Sequence, residues 1–148
     1  MRLRADFLFD QKRYDEIEFW DNHNKLYKWE GGDNHSGFDI FLLNTFAWCG
    51  SASLEKQLNQ VADKNNLKPG DVFIRGGFPG HAMIVADIAI NDKGKKIFLL
   101  AQSYMPAQDI HIVRNPNDEK ISPWYEVNES AEIITPEWTF SWKELKEW

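Results

Sequence analysis

Two apolar runs, residues 82–90 and 97–102, stand on either side of the polar stretch Asn91-Asp92-Lys93-Gly94. Runs of this length, rich in Ile, Val and Leu and broken by an Asn/Asp/Gly turn, fold as an antiparallel hairpin. That pairing constrains everything around it, because an isolated hairpin is barely stable and needs further strands and a covered face. Residues 72–74 and 110–113 are also strand-like, and the first follows a turn at Lys68-Pro69-Gly70-Asp71.

Upstream the period changes. Phe38, Phe41, Leu42, Thr45, Phe46 and Cys49 recur at helical spacing, with Ser36 as the expected N-cap. Gly50 interrupts, and Ser51 or Ser53 is expected to cap a second helix with an apolar stripe of Leu54, Leu58, Val61 and Ala62. Residues 16–20 and 25–29 read as a small hairpin about Asp21-Asn22-His23-Asn24. The tail, with Pro116, Pro123, Pro136, Trp124, Trp138, Trp142 and Trp148, is expected to wrap the core rather than to form its own. The predicted architecture is α+β, a single domain over residues 1–148, with two N-terminal helices packed on an antiparallel β-sheet.

Composition narrows the function classes. A net charge of −6 with sparse Lys and Arg lacks the basic footprint that nucleic acid requires. Cys49 is the single cysteine, so no internal disulfide forms. No apolar run approaches the roughly 18 residues that span a bilayer, and residues 1–6 show no signal-peptide core, so the sequence as it stands reads as soluble. The four histidines have no helical ligand spacing and no Cys pair exists, so neither a metal nor another cofactor is expected. The expected partner is a small molecule or a peptide, and the oligomeric state is open.

The candidate site begins at Gly76-Gly77-Phe78-Pro79-Gly80-His81, where glycine-rich loop meets strand. With an even hairpin loop, Met83 faces Gln102 and His81 faces Tyr104, and all four share one face of the sheet. An odd loop would turn Gln102 to the other face. On the shared face Gln102 lies diagonal to His81, within reach of its ring. An imidazole oriented by an amide is the base-and-orienter half of a nucleophilic site. The bland reading is that His81 ends a strand and Gln102 begins a loop. Phe78, Gly80, Tyr104 and Gln108 are the expected ligand-contacting positions around this pair, with Trp138 and Tyr125 either core or groove.

The order of these parts resembles the NlpC-type branch of papain-like peptidases. Residues 67–74 with their Pro69-Gly70-Asp71 turn, the strand opening at His81 and the polar residue on the next strand carry the likeness. It implies His81 as base and Gln102 as orienter. Residues 76–81, 100–109, 122–125 and 135–138 are also similar to an uncharacterised bacterial family, catalogued only as a domain of unknown function, whose members are often exported.

That branch places its nucleophile in an Asp-Cys-Ser-Gly-Phe segment, and here Asn34-His35-Ser36-Gly37-Phe38 puts His35 in the cysteine's slot. Cys49, Ser51 and Ser53 remain as candidate nucleophiles, with Ser36 behind them, and each is equally explained as core or helix cap. Two functions therefore stand open: a hydrolase of amide or ester bonds in peptide or cell-wall type substrates, and a non-catalytic ligand- or peptide-binding module on the same fold.

Overall fold

A computed structural model describes residues 1–148 except Met105 and Ala107. The chain is α+β and divides into two compact units, residues 1–57 and 58–148.

The first unit holds three α-helices among the described residues, one more than expected. Helix α1 (Arg2–Asp10) buries Ala5, Leu8 and Phe9. Its period is blurred in the sequence because Leu3 and Phe7 point outward and Phe7 is 56% exposed. Strands β1 (Glu18–Trp20) and β2 (Leu26–Lys28) form the expected hairpin. The Asp21 carboxylate closes its turn by accepting from the amides of His23 at 2.7 Å and Lys25 at 3.0 Å.

Helix α2 (His35–Trp48) buries Phe38, Leu42 and Thr45, as the spacing predicts. Its N-cap is Asn34 rather than Ser36: the Asn34 side chain accepts from the Gly37 amide at 3.1 Å, and Ser36 Oγ only supports that cap. Phe38 stacks on Phe9 at 4.2 Å between ring centroids. Helix α3 (Ser51–Gln57) ends five residues before the predicted stripe does. Gln57 is held to β1 instead, donating to the Glu18 carbonyl at 3.0 Å and accepting from the Trp20 amide at 3.3 Å. Leu58 and Val61 are buried as the stripe required, but outside a helix.

The second unit is built on an antiparallel sheet. Its strands are β3 (Asn59–Gln60), β4 (Val72–Arg75), β5 (His81–Ile90), β6 (Lys96–Gln102), β7 (His111–Ile112), β8 (Tyr125–Glu126) and β11 (Leu145–Glu147), and β9 (Glu132–Ile134) pairs with β10 (Thr139–Ser141) as a separate hairpin. The spatial order is β3-β11-β4-β5-β6-β7, with β8 also against β6. At the Pro69-Gly70-Asp71 turn Gly70 takes φ +93°, a conformation that favours glycine. The turn is clamped to β5 by Gly70 N–H to the Val85 carbonyl at 2.9 Å and Val85 N–H to the Asp71 carbonyl at 2.8 Å.

The β5–β6 hairpin turns differently from the even loop assumed above. Ile90 pairs with Lys96 and the Asn91 amide bonds the Lys95 carbonyl, which leaves a three-residue tip with Gly94 at φ +76°. Alone, this odd loop would send Gln102 to the face away from His81. A bulge at Ala86 reverses the slip: Asp87 pairs with Leu99, but Val85 pairs with Leu100 and Ile84 with Ala101. Below the bulge the register is therefore the one an even loop gives, and Met83, Val85, Leu100 and Gln102 are all buried.

The tail does more than wrap. Tyr125, Ile133, Phe140 and Leu145 belong to the same buried cluster as Phe73, Met83, Phe98 and Leu100. Strand β11 inserts between β3 and β4. The density of Pro and Trp hid strands only two or three residues long.

Glu144 ties this tail to β4. Its carboxylate accepts from the Ser141 amide at 2.6 Å and from Arg75 Nη2 at 2.9 Å. Burial pulls the carboxyl upward, but the Arg75 and Ser141 bonds outweigh it and hold it below the usual carboxylate range. A depressed folded-state pKa contributes stability above the unfolded value of about 4.3 and loses it as pH falls through the folded value. Glu144→Gln is therefore expected to cost about 1 kcal/mol at pH 7, discounted for the half-exposed arginine, and the gap to wild type should narrow in urea titrations as pH falls below the usual carboxylate range.

Cys49 follows α2 and is 4% exposed. Burial first, and the nearby Asp21 charge second, push its thiol up to about 11. At pH 8 about one thiol in a thousand is ionised. Cys49 should resist a disulfide-exchange reagent in the native protein for many minutes and react at once in denaturant. Fast native labelling would contradict this account.

Candidate functional site

The site lies where β5 begins and β6 ends. His81 opens β5, Gln102 closes β6, and the bulge at Ala86 sets both on one face. His81 Nε2 is 2.6 Å from Gln102 Oε1. Gln102, only 3% exposed, uses its other end to donate from Nε2 to Glu137 Oε2 at 3.0 Å. An amide oxygen can only accept, so His81 Nε2 carries the proton of the first bond. His81 Nδ1 has no hydrogen-bond partner among the described residues.

Glu137 reaches this network from a tight turn between β9 and β10. Thr135 closes the turn, with its amide and its hydroxyl both donating to the Trp138 carbonyl at 2.9 and 2.7 Å. The same turn delivers Trp138, whose ring centroid is 5.4 Å from that of His81. Tyr104 meets the imidazole edge-on at 5.2 Å, and the buried Phe140 ring lies 6.2 Å away in a stacked orientation. Arg75, the cross-strand partner of His81, lies over Trp138 with its guanidinium carbon 5.7 Å from the ring centroid and donates to the Thr139 carbonyl at 3.2 Å. Three aromatic rings thus limit where the imidazole can turn.

Beside this network is an open pocket of about 430 Å³ lined by Pro79, Gly80, His81, Ser103, Tyr104, Gln108 and Trp138. Of the ligand-contacting positions expected from the sequence, Gly80, Tyr104 and Gln108 line it. Phe78 does not: it is 98% exposed in the approaching loop. Trp138 lines the pocket, and its Nε1, which is buried, has no hydrogen-bond partner among the described residues.

Sequence reasoning missed two of these residues. Glu137 has no signal in the sequence, since the β9–β10 turn that aims it joins two three-residue strands. Ser103 sits between Gln102 and Tyr104, and only the pocket geometry sets it apart.

The nucleophile candidates all belong to the first unit. Cys49 is covered and protonated, the reverse of an activated thiol. Ser53 is 2% exposed, and its hydroxyl both donates to the Gly50 carbonyl and accepts from the Gly50 amide at 3.2 Å, holding the start of α3. Ser51 is half-buried at the first position of α3, and its hydroxyl has no hydrogen-bond partner among the described residues. His35 begins α2 exposed, its ring 4.8 Å from that of Phe9. No group of three or more His, Cys, Asp or Glu among the described residues is arranged to hold a metal ion, and no helix there is long and apolar enough to cross a membrane.

Searches of curated proteins and of solved structures each return no match. A family model does match, over residues 20–147, which takes in β4, β5, β6 and the turn that carries Glu137. The chain therefore belongs to the family described as Domain of unknown function (4846).

Proposed function

We propose that the His81 pocket is a hydrolytic site for amide or ester bonds in peptide or cell-wall type substrates, on a fold of the NlpC type. The observation that carries this reading is the 2.6 Å contact between His81 Nε2 and Gln102 Oε1, which leaves a free lone pair on Nδ1 of a residue that lines the pocket. A neutral imidazole protonated at Nε2 is a base at Nδ1, and an amide behind it holds the ring in that orientation as a proton is taken up. In this reading His81 removes the proton from the attacking hydroxyl and returns it to the leaving group. Gln102 is the orienter. Gly80, Tyr104 and Gln108 contact the substrate. Of the nucleophile candidates, Cys49 is buried and Ser53 is engaged by Gly50, whereas the Ser51 hydroxyl has neither constraint.

The aromatic walls formed by Tyr104 and Trp138 favour a second reading, in which the same pocket binds a peptide or glycopeptide without cleaving it.

The two readings separate experimentally. The full chain is treated with a fluorophosphonate and with an iodoacetamide probe, and hydrolysis of a p-nitrophenyl ester is followed alongside. Hydrolysis predicts fluorophosphonate labelling and turnover, each reduced about a hundredfold or more in His81→Ala and unaffected in Cys49→Ala. If the wild-type protein shows neither labelling nor turnover, and its Trp fluorescence responds to a soluble muramoyl peptide, the pocket binds and does not cleave.

A further inference from the structure

Gln102 has two ends of similar shape and opposite hydrogen-bonding character, so a buried glutamine can orient an imidazole in either of two ways. With Oε1 toward His81, the ring must donate from Nε2 and Nδ1 is left as the base. With Nε2 toward His81, the ring must accept at Nε2, its proton moves to Nδ1, and Nδ1 is no longer a base. Neither His81 nor Gln102 chooses between these states.

The choice is made one residue further out. Gln102 Nε2 donates to Glu137 Oε2 at 3.0 Å, and an ionised carboxylate only accepts. With a carboxylate at 137, turning the Gln102 amide over would set two oxygens face to face and leave a buried amide oxygen against a negative charge. We propose that Glu137 is a positioning residue that fixes the polarity of the Gln102 amide, and through it the tautomer of His81. This role rests on the reading of His81 as the base, but its physical signature does not require catalysis. Glu137 sits on an exposed turn held independently by Thr135, so its exchange leaves the core untouched.

A glutamine at 137 can accept or donate, so both polarities of Gln102 become satisfiable. The test is long-range nitrogen–proton NMR on the His81 ring in the full chain, at a pH where the imidazole is neutral. Wild type should show the proton on Nε2 alone. Glu137→Gln should show a mixture, with the Nδ1–H form directly observable. The exchange variant Gln102→Glu/Glu137→Gln restores an acceptor-only group next to His81 and should return the ring to the Nε2–H form. A structural role for Glu137 would not be rescued in this way.

If wild type carries its proton on Nδ1, or if Glu137→Gln stays wholly Nε2–H, the proposal is overturned. On hydrolysis, kcat in Glu137→Gln should fall by the fraction of ring in the wrong tautomer, with KM unchanged. Absence of turnover in the wild-type protein sinks the hydrolytic reading alone, since the tautomer measurement still decides the role of Glu137.

Discussion

The candidate site depends on one unpaired residue in the sheet. A three-residue hairpin tip between Ile90 and Lys96 sets a register that would carry His81 and Gln102 to opposite faces, and the bulge at Ala86 moves it back by one. Because side chains alternate with a period of two, a single-residue slip exchanges every inward position for an outward one. Both segments of β5 keep their apolar residues inside as a result: Met83 and Val85 below the bulge, Ile88 above it. Hydrophobic burial and site geometry are thus satisfied by the same irregularity. The apolar core supplies the energy that holds the bulge, and the bulge gives the polar pair its common face.

The rest of the site is supplied by chain that contributes little regular structure. The four-residue turn at 135–138 places Glu137 on Gln102 and Trp138 beside His81. Its position is fixed from below by Phe140, which is fully buried among the sheet residues, and from the side by Arg75. Arg75 is itself held by Glu144, next to the short strand that joins the main sheet. The hydrogen-bond chain from imidazole to carboxylate therefore spans three separate segments of sequence, and its geometry reflects how the tail packs against β4 and β5.

This explains what the sequence could and could not disclose. Residues 82–90 and 97–102 announce a hairpin because long apolar strands around an Asn/Gly turn have few alternatives, and α2 is visible because Phe38, Leu42 and Thr45 keep a helical period. The His81–Gln102 pairing was legible for a reason that was only half right: it assumed an even loop, whereas an odd loop and a bulge together give the same outcome. A bulge has little signature in a run such as Ile84-Val85-Ala86-Asp87, where each residue suits a strand. Helix α1 was missed because Leu3 and Phe7 lie on its outer face, and the early end of α3 because Gln57 bonds to a distant hairpin rather than to its own helix. Glu137 could not be found by spacing, since 35 residues separate it from its partner.

The third member of the network bears on how the site should be understood. Holding an exposed glutamate side chain in one orientation costs about 1.5–2 kcal/mol of rotamer freedom, and the bond it makes to an amide returns a comparable amount. Such a contact adds little to stability. What it does add is direction: a chain that ends in a carboxylate can be satisfied in only one sense, from imidazole N–H to amide oxygen and from amide N–H to carboxylate. A pocket that merely needed a polar wall would be served by either sense. A pocket that needs a lone pair at Nδ1 is served by one, and that is the sense in which His81, Gln102 and Glu137 are joined.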